Sequence, residues 1–166
     1  MLGTANEISE GIITQSTFTK ETINLICKKE DLYKIRDIIK KEGRKQIVSH
    51  FIYNHERYVF WNFYLESKDE FIFKILHNYF TAIKNVFKNE WGNKKYILTK
   101  TTGYIALMKL FPELFIKGKN CEDLSINFFQ SYFEKVKKSL NKLISDNYES
   151  GLKGSNRLYK DLSKEL

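Results

Sequence analysis

The chain has 166 residues, a formal net charge of +8, 42% hydrophobic residues and 15% aromatic residues. This composition excludes a disordered chain, which would be poor in hydrophobic side chains, and the length fits one domain with a substantial core. No stretch approaches the run of about 18 apolar residues that spans a bilayer, and the polar, acidic start is unlike a signal peptide, so we expect a cytoplasmic protein without a membrane partner.

The first 14 residues are predicted to form a tail or strap, and residues 15–166 to form one compact, mainly α bundle of about five to seven helices. Ser16 or Thr17 is suited to cap a first helix that ends near Lys28. A second amphipathic helix, which Gly43 should end, is indicated by apolar residues at helical spacing: Leu32, Ile35, Ile38 and Ile39. Residues 45–53 could resume a helix after that break.

The central part of the chain holds the clearest helical pattern. Residues 58–64 are aromatic and β-branched and are predicted to be extended. Ser67 is a candidate cap for the helix that follows, and Asp69 and Glu70 suit its first turn. One face of that helix is apolar, and Phe71 and Phe73 widen it. The face consists of Ile72, Ile75, Leu76, Tyr79, Phe80, Ile83, Val86 and Phe87.

Three further elements follow a turn at Trp91-Gly92-Asn93. A helix is predicted from about Leu98 to Phe111, where Pro112 ends or restarts it. The last long helix is predicted from about Leu124 to Ser145. Residues 146–156 are expected to form a loop, and residues 157–164 a short final helix.

Six lysines are the candidate nucleic-acid-binding residues. Lys135, Lys138 and Lys142 recur on the side of the last long helix opposite its apolar face. Lys94, Lys95 and Lys100 add charge between the preceding helices. Lysine meets phosphate as a point charge and lacks the bidentate fork of arginine, so non-specific DNA binding is the expectation, with a solvated helix face as the alternative.

Signatures of catalysis and of cofactor binding are missing from the sequence. It contains no GxSxG, GxxxxGK[ST], GxGxxG or HExxH motif. Cys27 and Cys121 are too few for a disulfide framework and do not form a CxxC pair. His50 and His55 lack further metal ligands at a defined spacing. We therefore expect no enzyme activity, no metal and no other cofactor.

Three stretches taken together carry a family resemblance. They are residues 11–18 (GIITQSTF), residues 74–91 (KILHNYFTAIKNVF, followed shortly by EW), and residues 96–107 (YILTKTTGYIAL). In this order they resemble the C-terminal part of the DGQHR-domain proteins, a group of the ParB-like superfamily that includes DndB-type regulators linked to DNA phosphorothioate modification. Residues 151–159 are similar to that group's closing loop and helix.

The resemblance implies structural roles for five motif residues: Tyr79, Phe80, Trp91, Thr101 and Gly103. Tyr79 and Phe80 would be buried, Trp91 would anchor its turn, Thr101 could form a cap, and Gly103 would allow close packing. The motif Asp-Gly-Gln-His-Arg, which the family carries in an N-terminal ParB-like half, is absent. The resemblance therefore implies a C-terminal fragment or a naturally short relative, without the residues to which the family's chemistry would belong.

Two functional hypotheses result. The first is a non-catalytic helical accessory module of a DNA-associated bacterial protein linked to DNA modification, which supports a missing ParB-like half and has weak non-specific DNA affinity. The second is a protein-interaction or dimerisation module, for which an exposed apolar strip at residues 58–64 would be the evidence.

Overall fold

The computed structural model of the chain describes residues 13–140 and 143–166. Within these ranges seven α-helices occur and no β-sheet, so the prediction of a mainly α fold is confirmed. The helices are α1 (Gln15–Ile23), α2 (Leu32–Glu42), α3 (Trp61–Leu65), α4 (Asp69–Val86), α5 (Thr101–Asn120), α6 (Ile126–Ser139) and α7 (Gly151–Leu162). Short 3-10 turns lie at Lys29–Asp31, Arg44–Ser49, Ser145–Asn147 and Ser163–Glu165.

The first helix is shorter than predicted and begins at a different cap. The Thr14 hydroxyl oxygen accepts a hydrogen bond from the Thr17 amide at 3.0 Å, so Thr14 caps α1 in place of Ser16 or Thr17. The helix ends at Ile23 because the Leu25 carbonyl turns away to accept the Phe60 amide at 2.9 Å. Residues 1–12 of the predicted tail lie outside the described part of the chain.

Residues 24–65, which we call the aromatic module, surround a small core of their own. That core consists of Cys27, Ile35, Ile47, Tyr53, Tyr58 and Trp61. Tyr53 packs edge-on against Trp61 with ring centroids 4.7 Å apart, and its hydroxyl donates to Asp31 Oδ2 at 2.6 Å. Gly43 ends α2 as predicted, with a φ of 89° that an L side chain rarely adopts.

The prediction of an extended segment at residues 58–64 is wrong. Trp61–Leu65 forms α3, and the three residues before it form a turn. The helical turn sends neighbouring rings to different cores, because Phe60 enters the main core while Trp61 enters the aromatic module. Tyr58, Phe60 and Trp61 are each at most 5% exposed, and Phe63 and Tyr64 are half-buried, so most of the predicted apolar strip is covered by this chain itself.

The other four helices form two layers of parallel pairs around the main core. Helix α4 packs on α6, and Lys137 near the end of α6 reaches the carbonyl of Val86 at the end of α4, so the two run in the same direction. Helix α5 packs on α7 in the same manner, with Lys109 bonded to Asn156 and Glu113 to Tyr159. Large rings fill the space between the layers, including Tyr79, Phe111, Phe129 and Phe133.

Helix α5 continues without a break through Pro112 to Asn120, although the sequence predicted a helix to about Phe111 that Pro112 ends or restarts. Proline inside a helix removes one hydrogen bond and costs about 3 kcal/mol. Leu114 and Phe115, which follow the proline, are almost fully buried, and each such side chain contributes about 1.5–3 kcal/mol. Burial on both sides of Pro112 therefore outweighs the cost of the missing bond.

The boundaries of the last two helices also differ from the prediction. Helix α6 ends at Ser139 and not at Ser145, because the Leu143 carbonyl accepts the Ile97 amide at 2.9 Å. Helix α7 begins at Gly151, within the predicted loop. A Cβ atom on Gly154 would lie 1.6 Å from the Glu149 carbonyl oxygen, so only glycine allows the chain to enter α7 this tightly.

Helix α4 lies where its apolar pattern and acidic first turn predicted a helix, but its buried face is narrower than predicted. Phe71 and Phe73 are 37% and 69% exposed, so they do not widen the face that enters the core. Lys68 occupies the cap position of α4, and no side-chain hydrogen bond is formed there. Ser67, the predicted cap, has a φ of 57° and lies one residue too early to cap the helix.

Candidate functional site

The C-terminal ends of α4 and α6 lie side by side because the two helices are parallel. Lys137 joins them: its ammonium donates to the Val86 carbonyl at 2.6 Å and lies 3.8 Å from a Glu90 carboxylate oxygen. The same ammonium lies 5.5 Å from the centre of the Phe87 ring. One lysine of α6 thus satisfies a terminal carbonyl of α4, which has no partner within its own helix.

The segments that follow these two helices are also paired. The Ile97 amide donates to the Leu143 carbonyl, and the Ser145 amide donates to the Lys95 carbonyl, each at 2.9 Å. Tyr96 and Ile144 form an isolated antiparallel bridge between these bonds. Lys94 and Lys95 are therefore held at the same end of the bundle as the last turn of α6.

We call this region, residues 84–100 and 134–140, the basic end. It carries two acidic residues, Glu90 and Glu134, and eight basic ones: Lys84, Lys88, Lys94, Lys95, Lys100, Lys135, Lys137 and Lys138. Glu90 is the only acidic residue from position 71 to position 112. Such a concentration of one sign of charge produces a positive field that attracts polyanions.

The predicted lysines are distributed as follows. Lys135 and Lys138 are exposed in the last turns of α6, and Lys94 and Lys95 are exposed in the adjoining segment. Lys100 is half-buried at the cap position of α5, at the same end of the molecule. Lys142 lies outside the described residues. Sequence reasoning missed Lys84 and Lys88, which are exposed near the end of α4.

The aromatic module is the other lysine-rich region, and its charges are mixed. Residues 28–45 contain eight basic side chains, but Glu30, Asp31, Asp37 and Glu42 lie among them. Arg44 is used in the fold, where its guanidinium donates to the Tyr64 carbonyl at 3.1 Å and to Asp69 at 3.2 Å. The basic end therefore has the larger excess of positive charge for a similar number of basic residues.

The five residues for which the resemblance implied structural roles lie in α4, in the turn that follows it and in the first turn of α5. Tyr79 is fully buried, its hydroxyl donates to the Leu107 carbonyl at 2.8 Å, and burial raises its pKa well above the usual value. Phe80 stacks on Tyr104 at 5.5 Å. Trp91 is half-buried against the main core, and Thr101 is the exposed first residue of α5.

Gly103, the remaining motif residue, marks the closest backbone approach at the basic end. A Cβ atom there would lie 2.0 Å from the Ile97 carbonyl oxygen and 2.9 Å from Leu98 Cα. The sequence predicted close approach of another helix at Gly103. The close neighbour is instead the segment that leads into α5. The segment that carries Lys94 and Lys95 is thereby pressed against the first turn of α5.

A cleft of about 470 Å³ lies between the aromatic module and α5. Its walls come from the end of α1, from the segment at residues 27–30, from Arg57 and Tyr58, and from one side of α5. Cys27 lines it, but burial and the nearby Asp31 raise the pKa of this thiol to about 11, so the thiol is uncharged at neutral pH. None of the three histidines lines the cleft.

Two further observations bear on ligands and membranes. Within residues 13–140 and 143–166, no three His, Cys, Asp or Glu side chains converge closely enough to hold a metal ion. None of the helices in these ranges combines the length and the apolar character that crossing a bilayer requires.

The chain was compared with known proteins at the levels of family, sequence and structure. No protein-family model matches the sequence, and neither the curated proteins nor the solved structures contain a match.

Proposed function

We propose that this chain is a non-catalytic helical accessory module of a DNA-associated bacterial protein, and that its basic end attracts DNA phosphates without base preference. The observation that carries the proposal is the parallel pairing of α4 and α6, which gathers the exposed lysines of two helices and a loop at one end. The resemblance to the C-terminal part of DGQHR-domain proteins is consistent with a DNA-associated role beside a ParB-like half.

The chemistry of the basic end favours phosphate over bases. The exposed cations there are all lysines, which attract phosphate as point charges but lack the bidentate geometry that distinguishes base edges. Binding should therefore vary little between DNA sequences and should weaken steeply with salt, because each neutralised phosphate releases a counterion.

An electrophoretic shift titration tests the DNA role. Two duplexes of equal length and unrelated sequence are titrated with the chain at two salt concentrations that differ fourfold. Four phosphate contacts would give a salt slope near −3.6, so the affinity should fall about a hundredfold over that range for both duplexes. Absence of a shift at the lower salt concentration would remove DNA binding from the proposal.

A protein-interaction or dimerisation module is the second candidate. The apolar strip predicted at residues 58–64 is mostly buried. The aromatic module exposes three other apolar side chains: Tyr33 at 75%, Val48 at 55% and Ile52 at 97%. Light scattering over a range of protein concentrations tests self-association. A dimer that I52S converts to a monomer would favour this candidate, and a monomer at every concentration would count against dimerisation.

A further inference from the structure

The cleft between the aromatic module and α5 has the size of a small-molecule site, and both apolar and charged side chains line it. Its volume of about 470 Å³ falls in the range of about 300–1,000 Å³ that small-molecule sites occupy, and its wall contains members of both hydrophobic cores. Leu25, Tyr58 and Met108 supply apolar wall from three separate segments.

The wall of the cleft includes a buried carboxylate. Glu21 is only 9% exposed, which is unusual for a carboxylate. The Asn24 side-chain amide, also in the wall, donates to one Glu21 carboxylate oxygen at 3.1 Å. The other Glu21 oxygen lies 3.9 Å from the Lys20 ammonium, which is not part of the wall. An ionised carboxylate offers about four lone-pair sites, so Glu21 keeps acceptor capacity for a ligand beside these two partners.

A second acceptor arises from the proline inside α5. Pro112 and Met108 both line the cleft. Proline has no amide hydrogen, so the carbonyl of Met108, four residues earlier, lacks its usual helical donor. The helix in the wall of the cleft thus contains a backbone acceptor without its usual helical donor.

The opening of the same cleft is basic. Lys28, Lys29 and Arg57 are exposed side chains of its wall, and Lys109 adds a fourth cation that is bonded to Asn156 at 2.5 Å. Among the described residues of the wall, Glu30 is the only acidic residue besides Glu21. Arg57 lies over the Tyr58 ring at 5.3 Å, which holds its guanidinium near the wall.

We propose that this cleft binds a small anionic ligand of the nucleoside monophosphate class. The phosphate would lie at the opening, against Lys28 and Arg57, and the donors of the base would face Glu21 and the Met108 carbonyl. A guanine base fits these acceptors best, because it presents two adjacent N–H donors to a carboxylate, whereas adenine presents one donor beside an acceptor. This site is separate from the basic end.

Isothermal titration of the full chain with three probes tests the proposal. Guanosine monophosphate should bind. Guanosine, which lacks the anion, and adenosine monophosphate, which lacks the paired donors, should each bind about tenfold more weakly, the loss expected when a charge-assisted hydrogen bond is removed. No heat of binding with guanosine monophosphate, or equal affinity for all three probes, would overturn the proposal.

Variants locate the site and keep the test independent of the DNA role. K28Q/R57Q should weaken binding of guanosine monophosphate about tenfold or more. The control K84Q/K88Q removes the same charge from the basic end and should leave the affinity unchanged. E21Q should abolish the preference for guanosine monophosphate over adenosine monophosphate. If E21Q fails to fold, the variants of exposed residues still test the proposal. An equal loss of affinity for guanosine monophosphate in K28Q/R57Q and in the control K84Q/K88Q would refute the site.

Discussion

The two ends of the parallel α4–α6 pair differ in charge and in the use made of that charge. Asp69 and Glu70 occupy the first turn of α4, and Asp123 precedes α6. Lysines dominate the opposite end. Carboxylates stabilise helix N-termini and ammonium groups stabilise C-termini. The parallel packing brings the two C-termini together, whereas α6 begins beside Asn78 in the middle of α4. The concentration of lysines at one end thus follows from the direction in which the two helices pack.

The charges at the N-terminal end act within the fold. Asp123 accepts a hydrogen bond from the Ser125 amide at 2.8 Å, and Asp69 pairs with Arg44 at 3.2 Å. At the basic end Lys137 has such a role, whereas Lys84 and Lys138 have no ion-pair partner among the described residues. Because exposed lysines of the basic end lack partners within the fold, we propose an external polyanion as their partner.

The largest expected effect on the free energy of unfolding concerns two glycines of α5, Gly103 at the basic end and Gly118 near the opposite end. At Gly103 an added Cβ would collide only with backbone of Ile97 and Leu98. At Gly118, near the other end, it would meet the Asp123 carbonyl oxygen at 2.6 Å and two side chains that can move. G103A should cost about 3 kcal/mol or more and G118A about 1–3 kcal/mol, measured by urea unfolding. Equal costs would contradict the rigid contact at the basic end.

A smaller effect separates the structural lysine of the basic end from its exposed neighbours. K137M leaves the Val86 carbonyl and the Glu90 carboxylate without their shared partner and should destabilise the fold by about 1–3 kcal/mol. K138M, one residue along, should change stability by less than about 0.5 kcal/mol. Thermal unfolding of both variants checks this, and a neutral K137M would show that Lys137 does not hold the two helices together.

The smallest expected effect is the pH dependence of the opposite end. Hydrogen bonds from Ser125 lower the pKa of Asp123 below its ordinary value of 3.8. A carboxyl whose folded pKa is lowered stabilises the fold above its unfolded pKa, and this contribution is lost as the pH falls through the folded pKa. D123N should therefore be less stable than the parent chain at pH 7 but equally stable below the folded pKa. Unfolding curves that differ equally at both pH values would contradict this origin.

The sequence predicted those elements whose signals are local. The 3.6-residue pattern and the acidic first turn predicted α4, and Gly43 predicted the end of α2, because such signals need no knowledge of neighbours. Residues 58–64 and Pro112 misled the prediction, because the burial of Phe60, Trp61 and Phe115 decides their conformation. Propensity is a weak guide where tertiary packing dominates.

The candidate site was predictable only in part. Helical periodicity indicated that Lys135 and Lys138 share a side of one helix, and both are exposed there. The parallel pairing that adds Lys84 and Lys88 depends on contacts between distant segments and could not be read from periodicity. The lack of acidic residues other than Glu90 from position 71 to position 112 is the signal that would have found them.

The salt dependence of DNA affinity in two matched variants tests the central claim most directly. The basic-end variant is K84Q/K88Q/K135Q/K138Q, and the control, K34Q/K40Q/K41Q/K45Q, removes the same charge from the aromatic module. We expect the slope of log affinity against log salt to become shallower by about 3 to 4 in the basic-end variant and to be retained in the control. An equal change in both variants would show that net charge alone attracts DNA and would contradict a dedicated basic end.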